Sequence, residues 1–92
     1  MKVHVLYLSI LRDVTGKKEE DIELSKGSSM KDLIAALLGI YGAKLKPFLS
    51  PNSEIGSGII LTLNGELLSN SELGKKIPDD AEVLVGLPPF GG

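Results

Sequence analysis

The chain has 92 residues, the length of a single domain, and contains no cysteine. The absence of cysteine excludes disulfides, thiolate metal sites and a thiol nucleophile. Charged residues make up 24% of the chain, the formal net charge is −2, and the lysines and arginines are scattered. We therefore expect one soluble globular domain, residues 1–92, that does not bind nucleic acid.

The sequence has neither a membrane-spanning run nor a signal-peptide pattern, so we expect a cytoplasmic protein that is not bound to a membrane. No apolar run approaches the roughly 20 residues that a membrane-spanning helix needs. Residues 1–4 lead directly into a strand pattern, without the layout of a signal peptide. The one histidine, His4, belongs to that strand and has no acidic cluster around it in the sequence. We therefore expect no metal site.

The first 25 residues predict a β-hairpin. Residues 3–10 are apolar at nearly every position and rich in β-branched and aromatic side chains, which is typical of a central strand buried on both faces. Residues 11–16 then turn, with Gly16 expected at a positive φ. Residues 21–24 alternate polar and apolar side chains, as a half-exposed strand does.

One main helix is predicted to begin after Ser29, a favourable N-cap, with Asp32 placed to complete a capping box. Gly42 marks its end. Gly39 lies inside the helix and costs about 1 kcal/mol relative to alanine, which predicts a loose last turn or a close approach to the sheet. One helix face is apolar, and we expect it to pack in the core: Met30, Leu33, Ile34, Leu37, Leu38 and Tyr41.

The longest irregular segment is predicted at residues 43–58. Its apolar side chains, Leu45, Phe48 and Leu49, are expected to tuck a short turn against the core. A segment of this length is unusual in a compact domain. Two interpretations stay open, a mobile loop that contacts a partner and a tolerated surface excursion.

The second half of the chain predicts a further hairpin and a last strand. Residues 59–63 form a strand that returns at 66–68 through the Asn64-Gly65 turn, the strongest hairpin signal in the sequence. Residues 69–74 allow at most one helical turn, and a proline-led turn at 77–80 precedes a strand at 82–85. This order predicts an α+β protein with a mixed sheet of four to five strands wrapped around one helix. The first strand lies in the middle, with the last strand beside it.

The last seven residues, 86–92, predict an extended tail tied to the core by the strand before it. Pro88 and Pro89 stiffen the stem, whereas Gly91 and Gly92 have no Cβ and can thread a narrow channel. Fully extended, residues 88–92 reach on the order of 16 Å. The terminal carboxylate is ionised at neutral pH, so it reacts as an electrophile only after activation. At Gly86 an added methyl is expected to meet solvent or a tolerant edge.

With these features the sequence resembles the ubiquitin-like sulfur carriers, above all the small subunit of molybdopterin synthase (MoaD). The shared marks are Leu11-Arg12, Asn64-Gly65, Glu82-Val83 after an acidic turn, Pro88-Pro89 and Gly91-Gly92. Two positions depart from the family pattern. Asp80-Ala81 replaces the usual Gly-Asp, and Phe90 alone separates the prolines from the glycines where the family usually has two residues. The second departure leaves the tail's register in a partner channel open.

The resemblance implies a β-grasp fold and a role as co-substrate instead of enzyme. An E1-like adenylating enzyme would use ATP and Mg²⁺ to adenylate the Gly92 carboxylate, and a sulfur donor would convert the adenylate to a thiocarboxylate. The chain itself would bind no cofactor. The large subunit of molybdopterin synthase would then receive the tail, which consists of Leu87, Pro88, Pro89, Phe90, Gly91 and Gly92. Leu87 and Phe90 are the expected apolar anchors in that complex.

Two other functions remain open. The activated tail is also suited to a carrier for another pathway, such as thiamine synthesis or tRNA thiolation, or to a ubiquitin-like modifier joined to lysines. Alternatively, the chain is a non-catalytic β-grasp interaction module with an incidental Gly-Gly end. The sequence does not separate a carrier from a modifier, because both use the same tail and fold.

Overall fold

The computed structural model describes residues 1–48 and 59–86. In these residues five strands form one sheet: β1 (Lys2–Tyr7), β2 (Glu19–Glu23), β3 (Ile60–Leu63), β4 (Glu66–Leu67) and β5 (Glu82–Gly86). Their order is β2-β1-β5-β3-β4. The β1–β5 pair is parallel and the other pairs are antiparallel. The predicted mixed sheet, with the last strand beside the first, is confirmed, although the middle strand is β5 instead of β1.

The main helix, α2 (Met30–Tyr41), has the predicted ends. The Ser29 hydroxyl accepts a hydrogen bond from the Asp32 N–H, and the Asp32 carboxylate accepts one from the Ser29 N–H at 2.8 Å. Together these two contacts form the capping box, which satisfies backbone donors that a helix start leaves free. At the other end Gly42 has φ 58°, a conformation that glycine adopts without steric cost.

The core lies between α2 and one face of the sheet, called here the covered face. Along β1 the side chains alternate, so that every second one is buried against the helix and the others point outward. The buried residues from helix and sheet form one cluster that includes Val3, Val5, Tyr7, Met30, Leu33, Ile34, Leu37, Leu61, Leu63, Val83 and Val85. Leu38 and Tyr41 are half-buried at its margin, which confirms most of the predicted helix stripe.

A cluster of hydrogen bonds connects the C-terminal end of α2 to strands β1 and β2. Tyr7 and Tyr41 both donate hydrogen bonds to the same carboxylate oxygen of Glu20, and the Tyr7 contact is 2.6 Å. Lys17 Nζ contacts the other oxygen at 3.1 Å. Partial burial alone would raise the pKa of Glu20, but hydrogen bonds from Tyr41, Tyr7 and Lys17 outweigh it, and the pKa is lowered. Burial, then the bond to Glu20, raises the pKa of Tyr7.

The prediction for the first strand was wrong in two respects. The strand ends at Tyr7 instead of residue 10, and a short helix, α1 (Ile10–Thr15), occupies most of the predicted turn. Leu11 and Thr15 of this helix are buried four residues apart, at the helical spacing. The strand is also fully buried on one face only, because Val3, Val5 and Tyr7 lie in the core whereas His4 and Leu6 on the other face are half-buried. Gly16 has the predicted positive φ, at 75°.

The expectation of a close approach at Gly39 was also wrong. An added Cβ there would have no atom within 4 Å, so the helix does not need glycine at this position for packing. After the helix, one 3₁₀ turn (Gly42–Lys44) leads to Leu45, which is buried, and Phe48, which packs partly against the core. This part of the prediction for residues 43–58 is confirmed, whereas Leu49 and residues 50–58 lie outside the described residues.

The second hairpin has the predicted turn. Asn64 and Gly65 have φ 50° and 83°, the positive values that a two-residue hairpin turn favours. The Asn64 side chain also accepts a hydrogen bond from the Glu82 N–H at 2.9 Å, which holds the turn against the start of β5. The single helical turn predicted in 69–74 is a 3₁₀ turn, Asn70–Glu72. Within residues 1–48 and 59–86, no helix is long and apolar enough to cross a membrane.

Candidate functional site

The structure describes the base of the predicted functional tail. The proposed site residues Leu87, Pro88, Pro89, Phe90, Gly91 and Gly92 lie outside the described residues. The predicted tail boundary at 86 is corrected, because Gly86 is the last residue of β5 and is buried. The chain therefore stays hydrogen-bonded to the sheet up to the residue before Leu87.

Three segments meet where β5 ends. Because β1 and β5 are parallel, both strands finish at the same end of the sheet. The Leu8 N–H donates a hydrogen bond to the Val85 carbonyl at 2.9 Å. On the other side Ile60 pairs with Gly86 at the start of β3. Leu8, Ile60 and Gly86 together are called the tail base below. Regular strand pairing on both sides of β5 fixes the position from which residues 87–92 continue.

The packing at Gly86 contradicts the expectation that a methyl group would be tolerated there. A Cβ built on Gly86 would lie 2.5 Å from Leu8 Cβ, closer than real contacts of this kind. A neighbouring backbone segment would have to shift to admit it. The sequence showed only that Gly86 ends a strand, whereas the obstacle is the side chain of Leu8, which follows β1 and is far away in the chain.

The Leu11-Arg12 pair stabilises the segment that leads into the tail base. Leu11 is fully buried in the core, and Arg12 Nε donates to the Tyr7 carbonyl at 2.9 Å, which satisfies an acceptor at the end of β1. The connecting residue, Ser9, has φ 54° and ψ −134°, an unusual backbone conformation for a residue other than glycine. The pair that marked the family resemblance therefore holds the segment that contains Leu8.

The face of the sheet opposite α2 presents apolar side chains beside the tail base. Leu6 and Leu84 are opposite each other on β1 and β5, and both are half-buried. Thr62 continues the row on β3, and Leu67 on β4 is 63% exposed. We call this surface the outer apolar face: Leu6, Leu8, Ile60, Leu67 and Leu84. A partly exposed apolar patch of this kind is typical of a surface that docks a partner.

Sequence reasoning missed the outer apolar face, although its signal was present. The uninterrupted apolar pattern of residues 3–10 was interpreted as burial on both faces. In residues 1–48 and 59–86, however, the core cluster lies on one face of the sheet. The apolar side chains on the other face of β1 and β5 are therefore only half-buried.

The sequence matches no protein-family model and no curated protein. Among solved structures, the small archaeal modifier protein SAMP1 from Haloferax volcanii has a TM-score of 0.81 at 21% identity, with 100% of both chains covered. A Pyrococcus furiosus protein, provisionally assigned as molybdopterin converting factor subunit 1, has a TM-score of 0.77 at 26% identity, covering 96% of this chain and 98% of that one. The chain has the ubiquitin-like β-grasp fold.

The β-grasp similarity extends to a protein solved in a complex. A chain of the BexX/CysO complex from Amycolatopsis orientalis gives a TM-score of 0.72 at 23% identity, covering 98% of this chain and 99% of that chain. The resemblance to ubiquitin-like sulfur carriers related to MoaD, stated from the sequence, is confirmed by these neighbours.

Proposed function

We propose that this protein is a ubiquitin-like sulfur carrier, the small subunit of a molybdopterin synthase, whose Gly92 carboxylate becomes a thiocarboxylate. The main support is the tail base: β5 is paired with β1 up to Val85 and with β3 up to Gly86, beside an outer apolar face. The sequence then adds two prolines, Phe90 and two glycines. A rigid base, a docking face and a slender reactive end are what a carrier needs to deliver a carboxylate into a partner's site.

The proposed chemistry takes place at the tail and needs two partners. A carboxylate oxygen of Gly92 attacks the α-phosphorus of ATP in an E1-like adenylating enzyme that also uses Mg²⁺, and pyrophosphate leaves. A sulfur donor at the oxidation level of sulfide, such as hydrosulfide, then attacks the acyl carbon and displaces AMP, and loss of its proton leaves a thiocarboxylate. The large subunit of molybdopterin synthase takes up the thiocarboxylate. The chain is a co-substrate in this scheme, and the enzymes supply the catalytic groups.

The molybdopterin pathway is proposed because of one comparison. The Pyrococcus furiosus neighbour carries the name of a molybdopterin converting factor subunit and is 26% identical over 96% of this chain. A second function, as a protein modifier, is favoured by the similarity to SAMP1, whose full name describes a modifier. Both functions begin with the same adenylate and differ in what displaces AMP, a sulfur donor or a lysine amine.

The experiment that tests the proposal follows the fate of Gly92. The full-length chain is incubated with an E1-like adenylating enzyme, ATP, Mg²⁺ and a sulfur source, and its intact mass is measured. A carrier gains the mass difference of one oxygen replaced by sulfur and remains a single chain. Branched Gly-Gly remnants on lysines of other proteins, without the sulfur product, would show a modifier instead. A chain lacking Gly91 and Gly92 is the control and should gain nothing.

A further inference from the structure

One side of the outer apolar face is bordered by carboxylates. Across the strands, Glu19 lies opposite Leu6, while Asp21 and Glu82 lie on the two sides of His4. We call Glu19, Asp21 and Glu82 the acidic border. It follows the β2 edge of the sheet, where Glu19 is level with Leu6, and continues at Glu82 at the start of β5. The face is thus apolar across β5, β3 and β4 and negative along its β2 edge.

His4 holds two of these carboxylates in place. Its Nδ1 lies 2.8 Å from Asp21 Oδ1 and its Nε2 lies 3.0 Å from Glu19 Oε1. Both carboxylate side chains nevertheless remain 57% exposed, so they are oriented but still accessible. A carboxylate already fixed in one rotamer loses less conformational entropy when a partner cation binds it. The border is therefore prepared for a contact from outside the chain.

The opposite edge of the sheet has a different electrostatic character. There the carboxylate of Glu66 lies 3.8 Å from Lys75 Nζ, so its charge is balanced within the chain. Near the border, Lys2 shares the outer side of β1 with His4, and Glu23 beyond it lies 3.7 Å from the N-terminal ammonium group. This edge thus carries Glu19, Asp21, Glu23 and Glu82 against Lys2, His4 and the N-terminal ammonium group, so its charge is predominantly negative.

Resting on the proposed function, we propose that the adenylating enzyme which docks on the outer apolar face carries basic side chains that meet the acidic border. Apolar contact is non-directional and would allow the partner to rotate over the sheet. A one-sided charge contact selects a single orientation and speeds the encounter. That orientation decides whether residues 87–92 point at the channel. The same negative charge disfavours nucleic acid and anionic membrane as occupants of this face.

The test compares two double variants that each remove two carboxylates. Glu19→Gln with Asp21→Asn removes two border charges, and Glu66→Gln with Asp79→Asn removes two charges elsewhere. Pyrophosphate release is measured with an E1-like adenylating enzyme, ATP and Mg²⁺ over a range of chain concentrations. We expect the border variant to raise the KM for the chain about tenfold without changing kcat, since rim charges act mainly on association. The control should stay within about twofold.

Two further measurements distinguish a lost charge contact from a folding defect: the salt dependence of the KM and a substitution on a different strand. Added salt should raise the KM of the wild-type chain and affect the border variant less, because its charge contact is already missing. Glu82→Gln, on a different strand, should raise the KM in the same direction. Equal KM values for border and control variants would overturn the inference while leaving the proposed function intact. No adenylation of the wild-type chain would overturn both.

Discussion

The two faces of the sheet are built from alternate residues of the same strands but have opposite roles. On the covered face, Val5 and Leu61 are at most 1% exposed and belong to the core beneath α2. On the outer face their neighbours Leu6 and Ile60 are only half-buried, although they are equally apolar. The covered side chains stabilise the fold, whereas the outer ones leave apolar surface for a partner beside the tail base. Residue type alone therefore does not separate a core from an interface.

Deleting Gly91 and Gly92 gives the largest expected effect and separates function from folding most clearly. The deletion removes the proposed reacting group but no residue of the core cluster. Adenylation, measured as pyrophosphate release, should be lost, while the melting temperature stays that of the full chain. Gly92→Ala is the finer variant and should lower the rate on the order of 100-fold, because small misplacements at a reacting centre are costly. Adenylation that survives the deletion would remove the tail from the mechanism.

Leu61→Ala and Ile60→Ala compare the two faces at adjacent positions of β3. Leu61 is 1% exposed, and its truncation should lower the free energy of unfolding by about 2–5 kcal/mol. Ile60 pairs with Gly86 on the outer side, and its truncation should cost roughly 1 kcal/mol or less but raise the KM for the chain in adenylation. Urea unfolding and adenylation kinetics measure the two effects. Similar losses of stability would mean that the outer face is not a free surface.

Two glycine substitutions compare the tail base with the exposed side of α2. Gly86→Ala brings a Cβ to 2.5 Å from Leu8 Cβ and should destabilise the fold by about 1–3 kcal/mol. Gly39→Ala adds the same methyl group where no atom lies within 4 Å, and should stabilise the helix by about 1 kcal/mol. Thermal unfolding reports both changes. A destabilised Gly39→Ala variant would contradict the open environment of this helix position.

Local signals in the sequence predicted most of the fold. Ser29 with Asp32 marked the helix start, and Asn64-Gly65 marked the hairpin, because both motifs act within a few residues. The features that were missed depend on contacts between distant segments. The obstacle at Gly86 comes from Leu8, just after the end of β1, and the outer apolar face follows from the packing of the core on the other face of the sheet. The site residues from Leu87 to Gly92 remain a prediction from sequence.

The cluster of Tyr7, Tyr41 and Glu20 on the covered side predicts a loss of stability in acid. The pKa of Glu20 is lowered in the folded chain, so its stabilising contribution is present above its unfolded value and is lost as the pH falls through the folded pKa. Glu20→Gln should cost about 1 kcal/mol at pH 7 and flatten the decline below pH 4.5. Urea unfolding of the wild-type chain and the variant, at pH 7 and below pH 4.5, measures both effects. An equally steep decline in the variant would assign the acid sensitivity to other carboxylates.

The smallest expected effect on stability comes from His4 on the outer face. Its contribution is lost as the pH rises, whereas that of Glu20 is lost as the pH falls. A neutral imidazole has one N–H and can donate to only one carboxylate, whereas both His4 nitrogens lie within hydrogen-bond distance of one. The hydrogen bond to Asp21, with Glu19 contributing, raises the pKa of His4 above 6.5 despite some desolvation. The resulting stabilisation is complete below that unfolded value and is lost as the pH rises through the folded pKa. An NMR titration of the imidazole should show the raised pKa, and Glu19→Gln with Asp21→Asn should return it toward 6.5. An unshifted pKa in the wild-type chain would mean that His4 does not hold the two carboxylates in solution.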